Sequence, residues 1–172
     1  QGKIRFFGVS IRSHDPASVL RLVESGLVDT VQVVFNIFDQ SPEDELFGAV
    51  TRRDVGIIVR VPFDEGGLTG RIRPDTTFPE GDFRNNYFAG DRLREVHERA
   101  QAIVSDLGIE EDELANVALR FCLHAPAVST VIAGMRAPEN VRRNLAAIDD
   151  GPLPDAQLAS LRAHRWDRAA DG

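Results

Sequence analysis

The stretch Ser129-Thr130-Val131-Ile132-Ala133-Gly134-Met135-Arg136-Ala137-Pro138-Glu139-Asn140-Val141-Arg142-Arg143-Asn144 reads as a short apolar strand, a glycine-containing turn and a helix. Pro138 stands where a first helical residue needs no hydrogen-bonding N–H. The start of that helix carries Arg136, Asn140, Arg143 and Asn144. A helix N-terminus presents unpaired backbone N–H groups and a partial positive charge, and arginine adds a planar fork that matches phosphate. The pattern predicts a phosphate site, for a nucleotide in the first instance. An ordinary strand-to-helix turn with surface arginines is the alternative that this stretch leaves open.

Working outward, the same punctuation recurs along the chain. Ile4-Arg5-Phe6-Phe7-Gly8-Val9 is a β-prone run, and Asp15-Pro16 caps a helix with the stripe Val19, Leu20, Leu22 and Val23, closed by Gly26. Thr30-Val31-Gln32-Val33-Val34-Phe35 is a second strand, apolar on both faces except at Gln32. Ser41-Pro42-Glu43-Asp44 opens a second helix through Leu46, Phe47 and Val50, and Gly56-Ile57-Ile58-Val59-Arg60-Val61 is a third strand. A long polar loop occupies residues 62–90, and loops of that length in a compact domain are usually functional or partly disordered. Helices are predicted over 91–107 and 110–124, then from Pro138 through Ile148, and finally along Leu158, Leu161 and Trp166.

Strands that are apolar on both faces and alternate with helices argue a parallel sheet with helical crossovers. Four such strands form either a small open α/β domain or half of an eight-stranded barrel. The whole chain, 1–172, is read as one domain.

Composition narrows the partners. A chain of 172 residues that is 42% hydrophobic and 27% charged can bury a real core. Its net charge of -7 disfavours nucleic acid, because a phosphate backbone would be repelled. No stretch approaches a membrane span, and no metal-ligand spacing appears. The single cysteine, Cys122, lies in an apolar helical run and reads as a small buried hydrophobe, which together with the lack of a signal sequence suits the cytoplasm.

In parallel α/β folds ligands bind at the carboxyl ends of the strands. Those ends carry Ser10, Gln32 with Asn36, the Arg60-Val61-Pro62-Phe63 segment, and Gly134 with Arg136. The loop after the third strand reads Asp64-Glu65-Gly66-Gly67-Leu68-Thr69-Gly70, and its glycines would let backbone N–H groups approach a pyrophosphate.

Taken in order, these segments resemble the C-terminal half of an aldo-keto reductase, a family of NADP(H)-dependent (β/α)8 barrels. The resemblance rests on Gly2 to Ser10, Val28 to Asn36, Arg60 to Phe63 with Gly67 to Gly70, and Val128 to Asn144. It implies that Ser10 and Gln32 hold the nicotinamide carboxamide and that Pro62, Phe63, Gly67, Leu68 and Thr69 run over the pyrophosphate. It further implies that Gly134, Arg136, Asn140 and Asn144 grip the adenosine 2′-phosphate, which makes NADP(H) the cofactor and a small carbonyl compound the substrate. Relatives commonly have Asn after the serine where this chain has Ile11, and many carry an acid where it has Arg143.

The family's Asp, Tyr, Lys and His stand on the first four barrel strands, which the resemblance places outside this chain. The one lysine is Lys3 and the one tyrosine, Tyr87, falls in the long loop, so no Tyr–Lys acid pair is expected here. His14, His97, His124 and His164 are read as surface or satisfied histidines.

Three functions follow. The first is the NADP(H)-binding portion of a reductase whose catalytic tetrad is absent from this chain, a fragment in keeping with a start at Gln1 without methionine. The alternative is a non-catalytic half-barrel binding or assembly module, whose first and fourth strands are open edges that close as a homodimer or on a missing N-terminal half. The third, a small open nucleotide-binding domain, requires a glycine-rich turn after the first strand, which Ser10-Ile11-Arg12-Ser13 does not supply.

Overall fold

A computed structural model describes residues 2–12 and 14–166. Four parallel strands, β1 Gly8–Ser10, β2 Thr30–Val34, β3 Gly56–Arg60 and β4 Val128–Val131, lie side by side in sequence order. Seven α-helices connect or follow them: α1 Leu20–Glu24, α2 Leu46–Arg53, α3 Arg84–Tyr87, α4 Arg92–Leu107, α5 Leu114–His124, α6 Pro138–Asp149 and α7 Asp155–Arg162. An all-parallel sheet in which neighbours in space are neighbours in sequence is the barrel-type half of the two architectures, since an open doubly wound sheet reverses its strand order.

Local chemistry accounts for the element boundaries. The Asp15 carboxylate accepts a hydrogen bond from the Ala17 N–H at 3.1 Å, and Pro16 follows as the first residue of the turn that leads into α1. Gly108 ends α4 in the left-handed region, and the side chains of Glu110 and Glu113 form a reciprocal capping box in front of α5. Side chains alternate along the strands. Val31, Val33, Ile57 and Val59 are fully buried against the helices, while Thr30, Gln32, Ile58 and Arg60 on the other face are half-buried.

The helix side of the sheet is the core. Phe35 lies 5.0 Å from the Phe47 ring in an edge contact and 5.5 Å from the Phe121 ring in a stacked one. Cys122 and Ile103 are sealed in the same cluster.

Two boundaries depart from the sequence pattern. The first strand begins at Gly8 and not at Ile4. Phe7 exchanges hydrogen bonds with Asp29, but Ile4, Phe6 and Phe7 are exposed, because at a sheet edge nothing packs over them. The fourth strand runs over Val128–Val131, two residues before the apolar run ends, after a register irregularity between Ile57 and Ile58 on its partner. The 62–90 loop is not structureless: Asp64–Thr69 form 3₁₀ turns and Arg84–Tyr87 one turn of α-helix.

Candidate cofactor site

The turn after β3 is held in conformations that L-residues rarely adopt. Val61 has φ 57°, Asp64 50° and Glu65 54°, followed by Gly66 at 112° and Gly70 at 70°. For a β-branched residue such as Val61 this is strained, and such strain persists only where surrounding contacts over-determine it. Asn36, buried at the end of β2, supplies one of those contacts. Its Nδ2 donates to the Val61 carbonyl at 2.9 Å, and its Oδ1 accepts from the N–H groups of Phe38 and Asp39.

Asp64 turns inward and is 2% exposed, so its charge does not face the cleft. The Tyr87 hydroxyl donates to its Oδ1 at 2.7 Å, which pins α3 to the base of the strained turn. Gly67 is required by packing, since a Cβ there would stand 2.7 Å from Asp64 Oδ2 and 2.8 Å from Val96 Cγ1. Leu68 is fully buried.

These contacts shape one wall of a cleft of about 970 Å³. Pro62, Phe63 and Thr69 line that wall; Gly134, Arg136, Asn140 and Asn144 line the opposite one, at the start of α6. Asn144 donates from Nδ2 to the Gly134 carbonyl at 3.3 Å and so fixes the turn onto the helix. Arg142 and Arg143 both pair with Glu139, at 3.2 and 3.1 Å, so the basic cluster is partly neutralised within its own helix. Arg136 makes no ion pair within 4 Å among the described residues.

The 62–90 segment contributes Glu65, Arg71, Asp82, Phe83 and Arg84 to the same cleft. Asp82 accepts from Arg84 Nε at 3.0 Å and from its NH2 group at 2.7 Å, and Arg84 also lies over the Phe78 ring. Those hydrogen bonds, with a smaller contribution from the charge of Arg136, hold the Asp82 carboxyl down at about 2. Asp82 is thus an anion in the same cleft as Arg136.

Ser10 and Gln32 lie outside this cleft, on the uncovered face of the sheet. They are partners in register on β1 and β2, and Gln32 Nε2 approaches Ser10 Oγ at 3.5 Å. Arg60, at the end of β3, reaches across β2 with its NH2 group 3.5 Å from the Ile11 carbonyl. Three histidines have partners: His14 Nδ1 is 2.5 Å from Asp39 Oδ2, His97 Nδ1 is 3.1 Å from the Ile72 carbonyl, and His164 Nε2 is 3.0 Å from Asp106 Oδ2.

The structure thus brings Pro62, Phe63, Thr69, Gly134, Arg136, Asn140 and Asn144 to one cleft, sets Ser10 and Gln32 beside each other on the adjoining sheet face, and turns Gly67 and Leu68 into the core. The sequence pattern gave no role in the cleft to Asp82 or Arg84, and carried Arg60 only as part of the strand end that runs to Phe63. Nothing periodic marks the first two in their loop, whereas a lone charge in the apolar run of β3 was a usable signal for Arg60.

Four parallel strands in sequence order, with polar groups at their carboxyl ends beside a cleft that holds four arginines, define half of a β/α barrel. The model of the aldo/keto reductase family matches residues 1–165, and the chain belongs to that family. It is 25% identical over 166 residues to an uncharacterized oxidoreductase, YqkF, of Bacillus subtilis, covering 95% of this chain and 51% of that protein. It is 29% identical over 166 residues to the NADH-specific methylglyoxal reductase of Escherichia coli, covering 94% of this chain and 49% of that protein. The solved glycerol dehydrogenase of Gluconobacter oxydans superposes with a TM-score of 0.73 at 23% identity, over 99% of this chain and 52% of that one. The chain therefore spans about half the length of the relatives it matches.

Proposed function

We propose that this chain is the NADP(H)-holding portion of an aldo-keto reductase, acting on a small carbonyl compound, with the catalytic acid supplied by residues outside this chain. The observation that carries the reading is the cleft that gathers Pro62, Phe63 and Thr69 opposite Gly134, Arg136, Asn140 and Asn144. Its size and its arginine side chains fit a dinucleotide phosphate, and Arg71 and Arg136 both line it without an ion pair among the described residues. The cofactor, when bound, supplies the hydride.

This chain's own part is to bind and orient. Ser10 and Gln32 stand together where a carboxamide can exchange hydrogen bonds with a hydroxyl and an amide. Gly67 and Leu68 act from behind, setting the shape of the turn whose outer residues face the cleft. Proton donation to a carbonyl is not supported by the residues described. Lys3 is exposed at the chain start, and the Tyr87 hydroxyl is committed to the Asp64 carboxylate at 2.7 Å. A single cysteine allows no disulfide within this chain, in keeping with a reducing compartment, and the cytoplasm is the proposed location. No helix among the described residues is long and apolar enough to cross a membrane.

A second reading, a half-barrel that closes by dimerisation, is favoured by the uncovered sheet face with Ile132 and the exposed Phe6 and Phe7 at its margins.

Calorimetric titration with NADPH and NADH tests the first reading. Arg136→Ala is expected to weaken NADPH about tenfold more than NADH, the order expected for losing one charge-assisted phosphate contact. Equal losses overturn the 2′-phosphate role, a live alternative given the NADH-specific relative. The chain alone is expected not to reduce a simple aldehyde; reduction that disappears in Tyr87→Phe refutes the assignment of the acid to another segment.

A further inference from the structure

Arg60 is an anomaly in its strand. Strand β3 is Gly56–Arg60, otherwise apolar, and alternation puts Arg60 on the uncovered face together with Ile58. Among the described residues its Nε is buried without a hydrogen-bond partner, and its one hydrogen bond, to the Ile11 carbonyl, is long at 3.5 Å. No carboxylate among the described residues pairs with it, in contrast to Arg52, Arg53, Arg73, Arg84, Arg94, Arg142, Arg143, Arg162 and Arg165. The positions that share its face, Gly8, Ser10, Thr30, Gln32, Val34, Gly56, Ile58 and Thr130, include no acid. A half-buried cation held with so little compensation costs stability, and its charge projects into whatever occupies that face.

The location is specific. Ile11 directly follows Ser10, and the Ile11 N–H donates to the Gln32 carbonyl at 3.0 Å. The Ser10 hydroxyl donates to the same Ile11 carbonyl at 3.4 Å, so the guanidinium that reaches that carbonyl sits beside the Ser10–Gln32 pair. On the reading above, which this inference rests on, that pair holds the nicotinamide carboxamide.

We infer that Arg60 is a specificity-determining residue that makes this site discriminate by the redox state of the ring. An oxidised nicotinamide ring carries a positive charge and a reduced ring carries none. A fixed, uncompensated guanidinium beside the ring repels the oxidised form and leaves the reduced form untouched. Reduced cofactor is held more tightly than oxidised cofactor, and the spent form leaves more readily. Arg60 forms no bond to either and is not part of the proton path.

Measuring the dissociation constants of NADPH and NADP+ on the same protein tests this by ratio, so a general loss of affinity does not imitate it. The chain with Arg60 is expected to favour NADPH, and Arg60→Gln to narrow that preference about tenfold, the order for two unit charges in a partly screened site. Arg60→Lys, which keeps the charge, is expected to retain most of the preference. An unchanged ratio in Arg60→Gln, with both forms still bound, overturns the inference alone. A chain that binds neither form overturns the cofactor reading and the inference with it.

Discussion

Cys122 illustrates what burial does to a single reactive group. Its side chain is fully enclosed in the core, its thiol donates to the Phe35 carbonyl at 3.3 Å, and desolvation pushes its pKa far above the ordinary thiol range. A thiol that cannot ionise is neither a nucleophile nor an easy target of oxidation. The native chain is expected to leave an aromatic disulfide reagent unreacted over hours and to consume one equivalent per chain on unfolding in guanidinium. Rapid labelling of the folded chain refutes the burial. This behaviour was legible in the sequence, because Cys122 falls among Ala118, Phe121 and Leu119 on a helical run. The partners of Tyr87 and Asp39 were not, because each contact joins residues more than twenty positions apart.

At the scale of elements, the turn after β3 concentrates the fold's strain where the cleft is built. Gly70 and Gly66 show that its two kinds of constraint are separable. At Gly70 (φ 70°) a Cβ would meet the Glu111 carbonyl oxygen at 2.3 Å, so backbone must move. At Gly66 (φ 112°) the nearest neighbour is a flexible Ile72 methyl at 3.9 Å. Gly66→Ala therefore carries the conformational penalty alone, on the order of 1–2 kcal/mol. Gly70→Ala adds overpacking on top of it, about 1–3 kcal/mol more. Urea unfolding should rank Gly70→Ala clearly below Gly66→Ala, and equal midpoints would show that the α5 end yields freely. Glycine-rich composition announced a turn here. It did not announce the left-handed Val61, Asp64 and Glu65, because non-glycine residues enter that region only when long-range contacts such as Asn36 to Val61 hold them.

For the molecule as a whole, the sheet is covered by helices on one face and open on the other. Strand order β1-β2-β3-β4 leaves β1 and β4 as its two edges, each with unpaired backbone groups. Exposed Ile4, Phe6 and Phe7 flank the first edge, and Ile132 and Met135 flank the second. A two-fold axis parallel to the strands would set β1 of one copy beside β4 of another at both seams, closing eight parallel strands. The isolated chain is expected to self-associate at micromolar concentration, and Phe6→Glu with Phe7→Glu to shift it toward monomer in analytical ultracentrifugation. A monomer at every concentration counts against closure by a second copy.

Sequence alone determined the alternation of strands and helices and the order of the strand ends. Apolar periodicity, proline at helix starts and glycine at helix ends act within a few residues and need no tertiary context. The eight-stranded barrel lineage was likewise readable from the ordered segments around Ser10, Gln32, Pro62 and Gly134, and the family match over residues 1–165 agrees. Only the tertiary structure decided which of those residues face a common cleft. It turned Gly67 and Leu68 inward, brought Asp82 into the cleft of Arg136 and carried the Arg60 guanidinium across β2 to Ile11. Those placements follow from strained turns and from contacts between distant segments, which local pattern does not encode.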